Sequence, residues 1–175
     1  PRDPERPVVC IAEKPVQLIG EARPGRPARP GRLKQIDYQY RRLGTRNLFV
    51  CFEPQAGWRR AAMTRHRKPA DFAEQLRFLV GGKYPDASVI RVVCDNLNTH
   101  HTDSLYLTFP ARQARRIADK IEWYYTPTHA SWLNMVEIEL SVLGRQCLPD
   151  RVPCSDKPDE EAAQEAAALL EEQTA

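Results

Sequence analysis

A short and almost wholly apolar run at residues 89–94, VIRVVC, most constrains how this chain can fold. A strand that is apolar on both faces has to be covered on both faces, which is typical of strands inside a layered α/β domain. The run therefore predicts a central strand, and it places a carboxylate, Asp95, directly at the end of that strand.

The segments around this run show strand and helix patterns in turn. Strand patterns occur at residues 8–18, 47–52, 58–64 and 121–125, and helix patterns at residues 70–79, 111–120 and 131–147. The order β-β-β-α-β-α-β-α predicts an α/β fold, a mixed five-stranded sheet flanked by helices, because only strands separated by helices need parallel crossovers. We expect one domain over residues 1–150.

The net charge of +3 conceals a gradient along the chain. Residues 1–68 hold 16 Lys and Arg against 6 Asp and Glu, whereas residues 149–175 hold 2 against 8. The basic end is expected to attract a polyanion, because neutralised phosphates release counterions. The acidic, Ala/Glu-rich residues 151–175 predict a C-terminal helix or a frayed tail.

A basic arm follows the first predicted strand. Its cationic residues, separated by prolines and glycines, are Arg23, Arg26, Arg29, Arg32 and Lys34. Because prolines prevent regular structure, we expect an extended segment that can lie along a DNA duplex. A solvated linker is the alternative, and the sequence leaves the two nearly even.

The chain contains no run of 18 or more apolar residues and no signal-peptide pattern, so we expect no membrane association and an intracellular location. Its five cysteines are odd in number and scattered. They are expected to be buried thiols rather than ligands of a structural zinc ion.

Two carboxylates carry the chemistry that the sequence suggests. Asp95 opens DNLNTH, and Glu137 lies in SWLNMVE, inside the last predicted helix. Such a pair can share divalent cations in phosphodiester chemistry. Taken alone, however, Asp95 is more typical of a turn, and helical geometry does not choose between Glu137 and Glu139, which flank the same apolar stripe.

These motifs, together with VVCIAEKPVQL and EPQAGW, resemble the catalytic domain of bacterial insertion-sequence transposases of family 630, which are relatives of the mariner-like transposases. The resemblance covers about residues 7–148. It implies a ribonuclease H-like fold and an Asp-Asp-Glu triad that binds Mg²⁺ or Mn²⁺. The family's Asn-x-x-Glu pattern, which begins here at Asn134, favours Glu137 as the third member.

The resemblance also implies an activity and partners. Family members cleave double-stranded DNA at transposon ends and transfer the strand to a target, and a homodimer is a further expectation. The family's N-terminal helix-turn-helix is not among these 175 residues, so we expect weak recognition of element ends. The implied location is the bacterial cytoplasm, with the nucleoid.

One member of the triad is missing. The first aspartate of the family falls on Ala12, and an alanine methyl group cannot hold a cation. Glu13 is a poor replacement, because side chains alternate along a strand and Glu13 faces the opposite side. We therefore expect weak metal binding and impaired cleavage.

Two alternatives remain open at this stage. One is a catalytically inactive DNA-binding or multimerisation module derived from a transposase, and the other is a nuclease that uses Glu13 with rearranged metal ions. His100 matches the histidine of the family motif, and we expect it near the site as a DNA contact rather than as a catalytic group. Trp123 and Trp132 are expected in the core.

Overall fold

One mixed sheet forms the centre of the molecule. The computed structural model describes residues 2–23, 26–33, 35, 39–146 and 152–153. The strands are β1 (Val8–Glu21), β2 (Tyr40–Glu53), β3 (Trp58–Thr64), β4 (Ile90–Cys94), β5 (Ile121–Tyr125) and the short β6 (Val152–Pro153). Their order is β3-β2-β1-β4-β5, with β6 paired to the far end of β1. The predicted mixed five-stranded sheet is confirmed, and β6 is an addition to it.

The directions of the strands follow from their connections. The first three strands are antiparallel neighbours, and β2 and β3 form a hairpin across EPQAG. The β1–β4 and β4–β5 pairs are parallel, because each crossover between them contains helices. The carboxyl ends of β1 and β4 therefore point to the same edge of the sheet.

Four α-helices flank the sheet in the part of the chain that the structure describes. They are α1 (Pro69–Phe78), α2 (Asp103–Thr108), α3 (Ala111–Ala118) and α4 (Val136–Gln146). A wide helical turn over Leu79–Lys83 continues α1 past its predicted end at residue 79 and through Gly81 and Gly82. The crossover between β4 and β5 holds two helices, α2 and α3, where the sequence predicted one. No helix in the described part of the chain has both the length and the apolar character that crossing a membrane requires.

The two faces of the sheet have separate cores. Alternation along β1 sends Val9 and Ile11 to one face and Cys10 to the other. On the first face, β1, β2 and β4 pack against α1, α2 and α3; on the second, β1 and β2 pack against α4. The buried side chains that α4 contributes are Val136, Leu140 and Leu143. This double covering explains why β4 is apolar on both sides.

The basic arm does not have its predicted extended form. Its described part folds back on itself, with paired backbone hydrogen bonds between Arg29 and Arg32 and between Arg26 and Gln35. The cause is Pro30-Gly31: proline fixes φ at the second position of a turn, and Gly31, with φ of 76°, takes the left-handed third position. We call residues 26–35 the basic hairpin. It lies in the connection between β1 and β2.

The beginning of α4 also differs from the prediction. Ser131 does not cap this helix; it opens a single 3₁₀ turn, Ser131–Leu133, and α4 begins only at Val136. Trp132 therefore lies outside the apolar stripe of the helix and is 74% exposed, so its expected place in the core is wrong. Trp123, in contrast, packs against the first core as expected.

Some predictions fall outside the described residues. Cys147 and Cys154 lie there, whereas Cys10, Cys51 and Cys94 are buried free thiols as expected. The predicted acidic helix or tail at residues 151–175 also lies there, apart from β6. Because β6 pairs with β1, the sheet extends past the predicted domain boundary at residue 150.

Candidate functional site

The register of the sheet brings Ala12 and Asp95 to the same level. Cys10 on β1 pairs with Val93 on β4 in parallel, and continuing that register by two residues puts Ala12 level with Asp95, which directly follows β4. Paired residues in a parallel sheet point to the same face, and both Cys10 and Val93 pack on the α4 side. Ala12, within β1, and Asp95, directly after the end of β4, thus present one methyl group and one carboxylate at the same level of the sheet.

Asn134 fixes the beginning of α4 against this edge. Its Nδ2 donates a 3.0 Å hydrogen bond to the Ile11 carbonyl of β1, and its Oδ1 accepts one from the Val136 amide. The side chain is buried, with 2% of the residue exposed. It therefore both ties the helix to the strand and caps the first helical turn, which carries Glu137.

Glu137 is electrostatically coupled to Asp95. Burial is the main cause that raises the pKa of the Glu137 carboxyl, the charge of Asp95 raises it further, and Lys14 opposes the shift. Like charges act in this way when two carboxylates share a site. The charge of Asp95 thus acts on Glu137, which lies in the first turn of α4, the helix that Asn134 ties to β1.

Glu139, the other glutamate that helical geometry left open, has a structural role. Its carboxylate lies 2.9 Å from Arg59 of β3 and is largely buried. Because that ion pair turns it towards the sheet, it is not part of the pair with Asp95. The choice of Glu137 over Glu139 as the third member of the triad remains a prediction from the family pattern.

His100 lies between two carboxylates. Its Nδ1 is 2.5 Å from Asp95 Oδ1, and its Nε2 is 2.7 Å from Glu13 Oε2. Burial works against protonation and is the largest single influence on His100, but the two carboxylates together outweigh it and raise its pKa to about 9. The hydrogen bond from His100 is in turn the main cause that lowers the pKa of Asp95.

The burial of His100 corrects its predicted DNA contact. Only 1% of the residue is exposed, and its ring stacks on Phe72 with the centroids 4.3 Å apart. Both ring nitrogens face carboxylates, so neither is available to a phosphate. No periodicity signals this arrangement, because Glu13 and His100 are 87 positions apart and meet only through the fold.

An open cleft of about 600 Å³ lies in front of Asp95. Its walls are polar: Arg67, the loop at residues 95–99 that follows β4, and the loop at residues 126–131 that follows β5. Arg67 also helps to lower the pKa of Asp95. A cleft with one cation, several amides and hydroxyl groups, and a carboxylate at its base suits a phosphodiester backbone.

The predicted DNA-binding arginines lie elsewhere. Arg26, Arg29 and Arg32 are exposed on the basic hairpin, and Arg23 is exposed before it. Lys34 lies outside the described residues. These side chains form a basic surface of their own, and nothing in the described part of the chain joins it to the cleft.

Asp95 and Glu137 offer the hard oxygen donors that Mg²⁺ and Mn²⁺ prefer. They do not amount to a complete set for two ions, because Ala12 contributes no donor. Among the described residues, no group of three or more His, Cys, Asp and Glu side chains is arranged to hold a metal ion. The donors present fit one water-rich cation.

The electrostatics of Glu137 lead to a prediction about stability. A carboxyl whose pKa is raised by folding stabilises the fold while it is protonated, and that contribution is lost as the pH rises through the raised pKa. Without metal near neutral pH, Glu137→Gln should therefore leave the melting temperature unchanged or slightly higher. Thermal melts in EDTA measure this.

Glu139→Gln is the matched control, since it removes one charge from the same helix but breaks the Arg59 ion pair. We expect it to lower the melting temperature. An equal loss in both variants would contradict the coupling of Glu137 to Asp95.

Comparison with known proteins agrees with this geometry. The sequence model of the family described as DDE superfamily endonuclease matches residues 7–157. A search of curated proteins found no match.

Among solved structures, the chain is similar to a Mos1 transposase paired-end complex with the left transposon end, with a TM-score of 0.59 and 15% identity over 95% of this chain and 47% of that one. It is also similar to the mariner Mos1 paired-end complex with Mg, with a TM-score of 0.51 and 18% identity over 97% of this chain and 48% of that one. The chain spans about half the length of these proteins. The shared fold is that of their ribonuclease H-like catalytic domain.

Proposed function

This chain belongs to the DDE superfamily endonuclease family, and on that premise we propose that it is the catalytic domain of a transposase related to insertion-sequence family 630. Its reaction is metal-dependent cleavage and strand transfer of DNA, and the activity is impaired because Ala12 stands at the position of the first catalytic aspartate. The bacterial cytoplasm, with the nucleoid, is the location that this proposal assigns.

The observation that carries the proposal is the placement of Ala12, Asp95 and Glu137. Continuing the register of β1 and β4 puts the first two at one level of the sheet, and the charge of Asp95 acts on the third. A constellation of this kind serves phosphoryl transfer rather than packing, because two coupled carboxylates destabilise a fold that holds no cation.

Asp95 and Glu137 would hold the divalent cation, Mg²⁺ or Mn²⁺. When bound, such a cation makes water a stronger nucleophile and offsets the charge that develops on the phosphate. Other residues of the chain position these two ligands: Asn134 fixes the helix of Glu137, and His100 fixes Asp95. Arg67 offers a positive charge to a phosphate in the cleft. With Ala12 in place we expect this binding to be weak.

Double-stranded DNA, as transposon ends and as target, is the partner that we propose. The Mos1 structures are paired-end complexes, one of them with the left transposon end. By analogy with such complexes we also propose a homodimer. On this chain the basic hairpin is the candidate contact to the DNA backbone, because its exposed arginines suit phosphates and narrow minor grooves.

Substitution of Arg26, Arg29 and Arg32 by alanine should weaken binding to duplex DNA and make it less dependent on salt. Each phosphate contact contributes about 0.9 to the slope of log affinity against log salt, so three lost contacts should reduce the slope by up to about 3. Fluorescence anisotropy with a labelled duplex at several salt concentrations measures both quantities.

The control variant replaces three exposed arginines of α3 by alanine and so removes the same charge; they are Arg112, Arg115 and Arg116. We expect it to change the slope less than the hairpin variant does. If the two triple variants behave alike, the effect is one of net charge and the hairpin has no special role.

A non-catalytic DNA-binding or multimerisation module is the second candidate, and Ala12 is the observation in its favour. Plasmid nicking separates the two functions. A chain that binds duplex DNA but stays inactive after Ala12→Asp fits the module, whereas restored nicking fits the impaired transposase.

A further inference from the structure

We propose that Glu13 is a positioning residue for the metal site: it holds His100, and through His100 it fixes the carboxylate of Asp95. This inference rests on the proposed function, because it assigns a role to residues around the same site. Glu13 itself points away from the cleft, since it lies on the face of β1 opposite Ala12.

Glu13 is a buried carboxylate whose charge is offset by two cationic neighbours. Only 4% of its side chain is exposed, and its close cationic neighbours are His100 at 2.7 Å and Arg67 at 3.6 Å. Within the described residues neither of its oxygens has a well-aligned hydrogen bond. Burying a charge in this way costs stability that apolar packing would not, so a role beyond packing is indicated.

His100 is fixed on all sides. Its ring lies on Phe72, its amide donates to the Leu97 carbonyl, and its own carbonyl accepts a hydrogen bond from the Tyr125 hydroxyl. A ring held in this way can meet Asp95 and Glu13 in one orientation only. The pairing with Glu13 selects the orientation in which Nδ1 faces Asp95.

The contact with His100 fixes the direction in which the Asp95 carboxylate points. His100 engages Oδ1, and the side chain of Asp95, 42% exposed, lines the cleft. Oδ1 is thus anchored by His100, the carboxylate also accepts a hydrogen bond from the Leu97 backbone, and the exposed part of the side chain faces the cleft. Partners that orient a metal ligand in this way commonly contribute 10- to 100-fold to metal affinity.

The test measures Mn²⁺ affinity by electron paramagnetic resonance in the full chain carrying Ala12→Asp, in which the site has its third carboxylate. Adding Glu13→Gln should weaken Mn²⁺ binding by about 10- to 100-fold. The matched control is Glu53→Gln, which neutralises a carboxylate that is equally buried but paired with Arg2 and Tyr84. It should change the affinity less than about twofold.

Asp95→Asn, also made in the chain that carries Ala12→Asp, separates a failure of the positioning role from a failure of the proposed function. One outcome is that Asp95→Asn abolishes Mn²⁺ binding, while Glu13→Gln changes the Mn²⁺ affinity no more than Glu53→Gln does. In that case the positioning role is overturned and the proposed function stands. If Asp95→Asn leaves Mn²⁺ binding unchanged, the metal is not at this site and both fall. Should Glu13→Gln not fold, as judged by circular dichroism, His100→Gln carries the same expectation.

Discussion

Replacing Ala12 with aspartate is expected to raise Mn²⁺-dependent nicking of supercoiled plasmid DNA by on the order of 100- to 1000-fold. The new carboxylate would lie within β1, level with Asp95, which directly follows the end of β4. A correctly placed cation supplies several kcal/mol of transition-state stabilisation, and each 1.36 kcal/mol corresponds to about tenfold in rate. Gel electrophoresis of the nicked form over time measures the rate.

Two controls accompany this variant. Ala12→Asn has nearly the same shape without the charge, and it should gain little. Ala12→Asp combined with Asp95→Asn should return to the level of the unmodified chain, because the site again lacks one carboxylate. Equal and vigorous nicking by the unmodified chain and by Ala12→Asp would contradict the proposed impairment.

Replacing Asn134 with alanine is expected to lower the free energy of unfolding by about 2–3 kcal/mol. The loss combines a buried hydrogen bond to the Ile11 carbonyl, worth about 1–3 kcal/mol once the acceptor is left unsatisfied, with the cap of α4, worth about 1 kcal/mol. Chemical denaturation followed by circular dichroism gives the value.

Asn134→Asp divides the two contributions. It keeps an acceptor for the Val136 amide but has no donor for Ile11, so it should lose about 1–2 kcal/mol. Asn98→Ala, in an exposed loop, should stay within about 0.5 kcal/mol of the unmodified chain. If Asn134→Ala is as stable as Asn98→Ala, Asn134 does not tie α4 to β1.

Much of the fold could be predicted because each strand carries its own signal. The apolar run of β4 and the turn between β2 and β3 are local patterns, and helices between strands require parallel crossovers. The basic hairpin was not predicted, because proline was considered only as a residue that interrupts regular structure. Pro30-Gly31 also suits the two central positions of a turn.

The candidate site was only partly readable from the sequence. Asp95 follows a strand and Glu137 fits a family pattern, so both could be named before their neighbours were known. The place of His100 between Glu13 and Asp95 could not be, because it depends on which face of β1 meets which loop. The core position expected for Trp132 assumed a helix that begins at Ser131. The helix begins about one turn later, and Asn134, not Ser131, caps it.

The most direct test of the central claim is a calorimetric titration of the unmodified chain and of Ala12→Asp with Mn²⁺. We expect the unmodified chain to bind at most one ion, weakly, through Asp95 and Glu137. The variant should bind two ions, at least about 100-fold more tightly. Tight binding of two ions by the unmodified chain, or no gain in the variant, would contradict a cation site that lacks only the carboxylate at position 12.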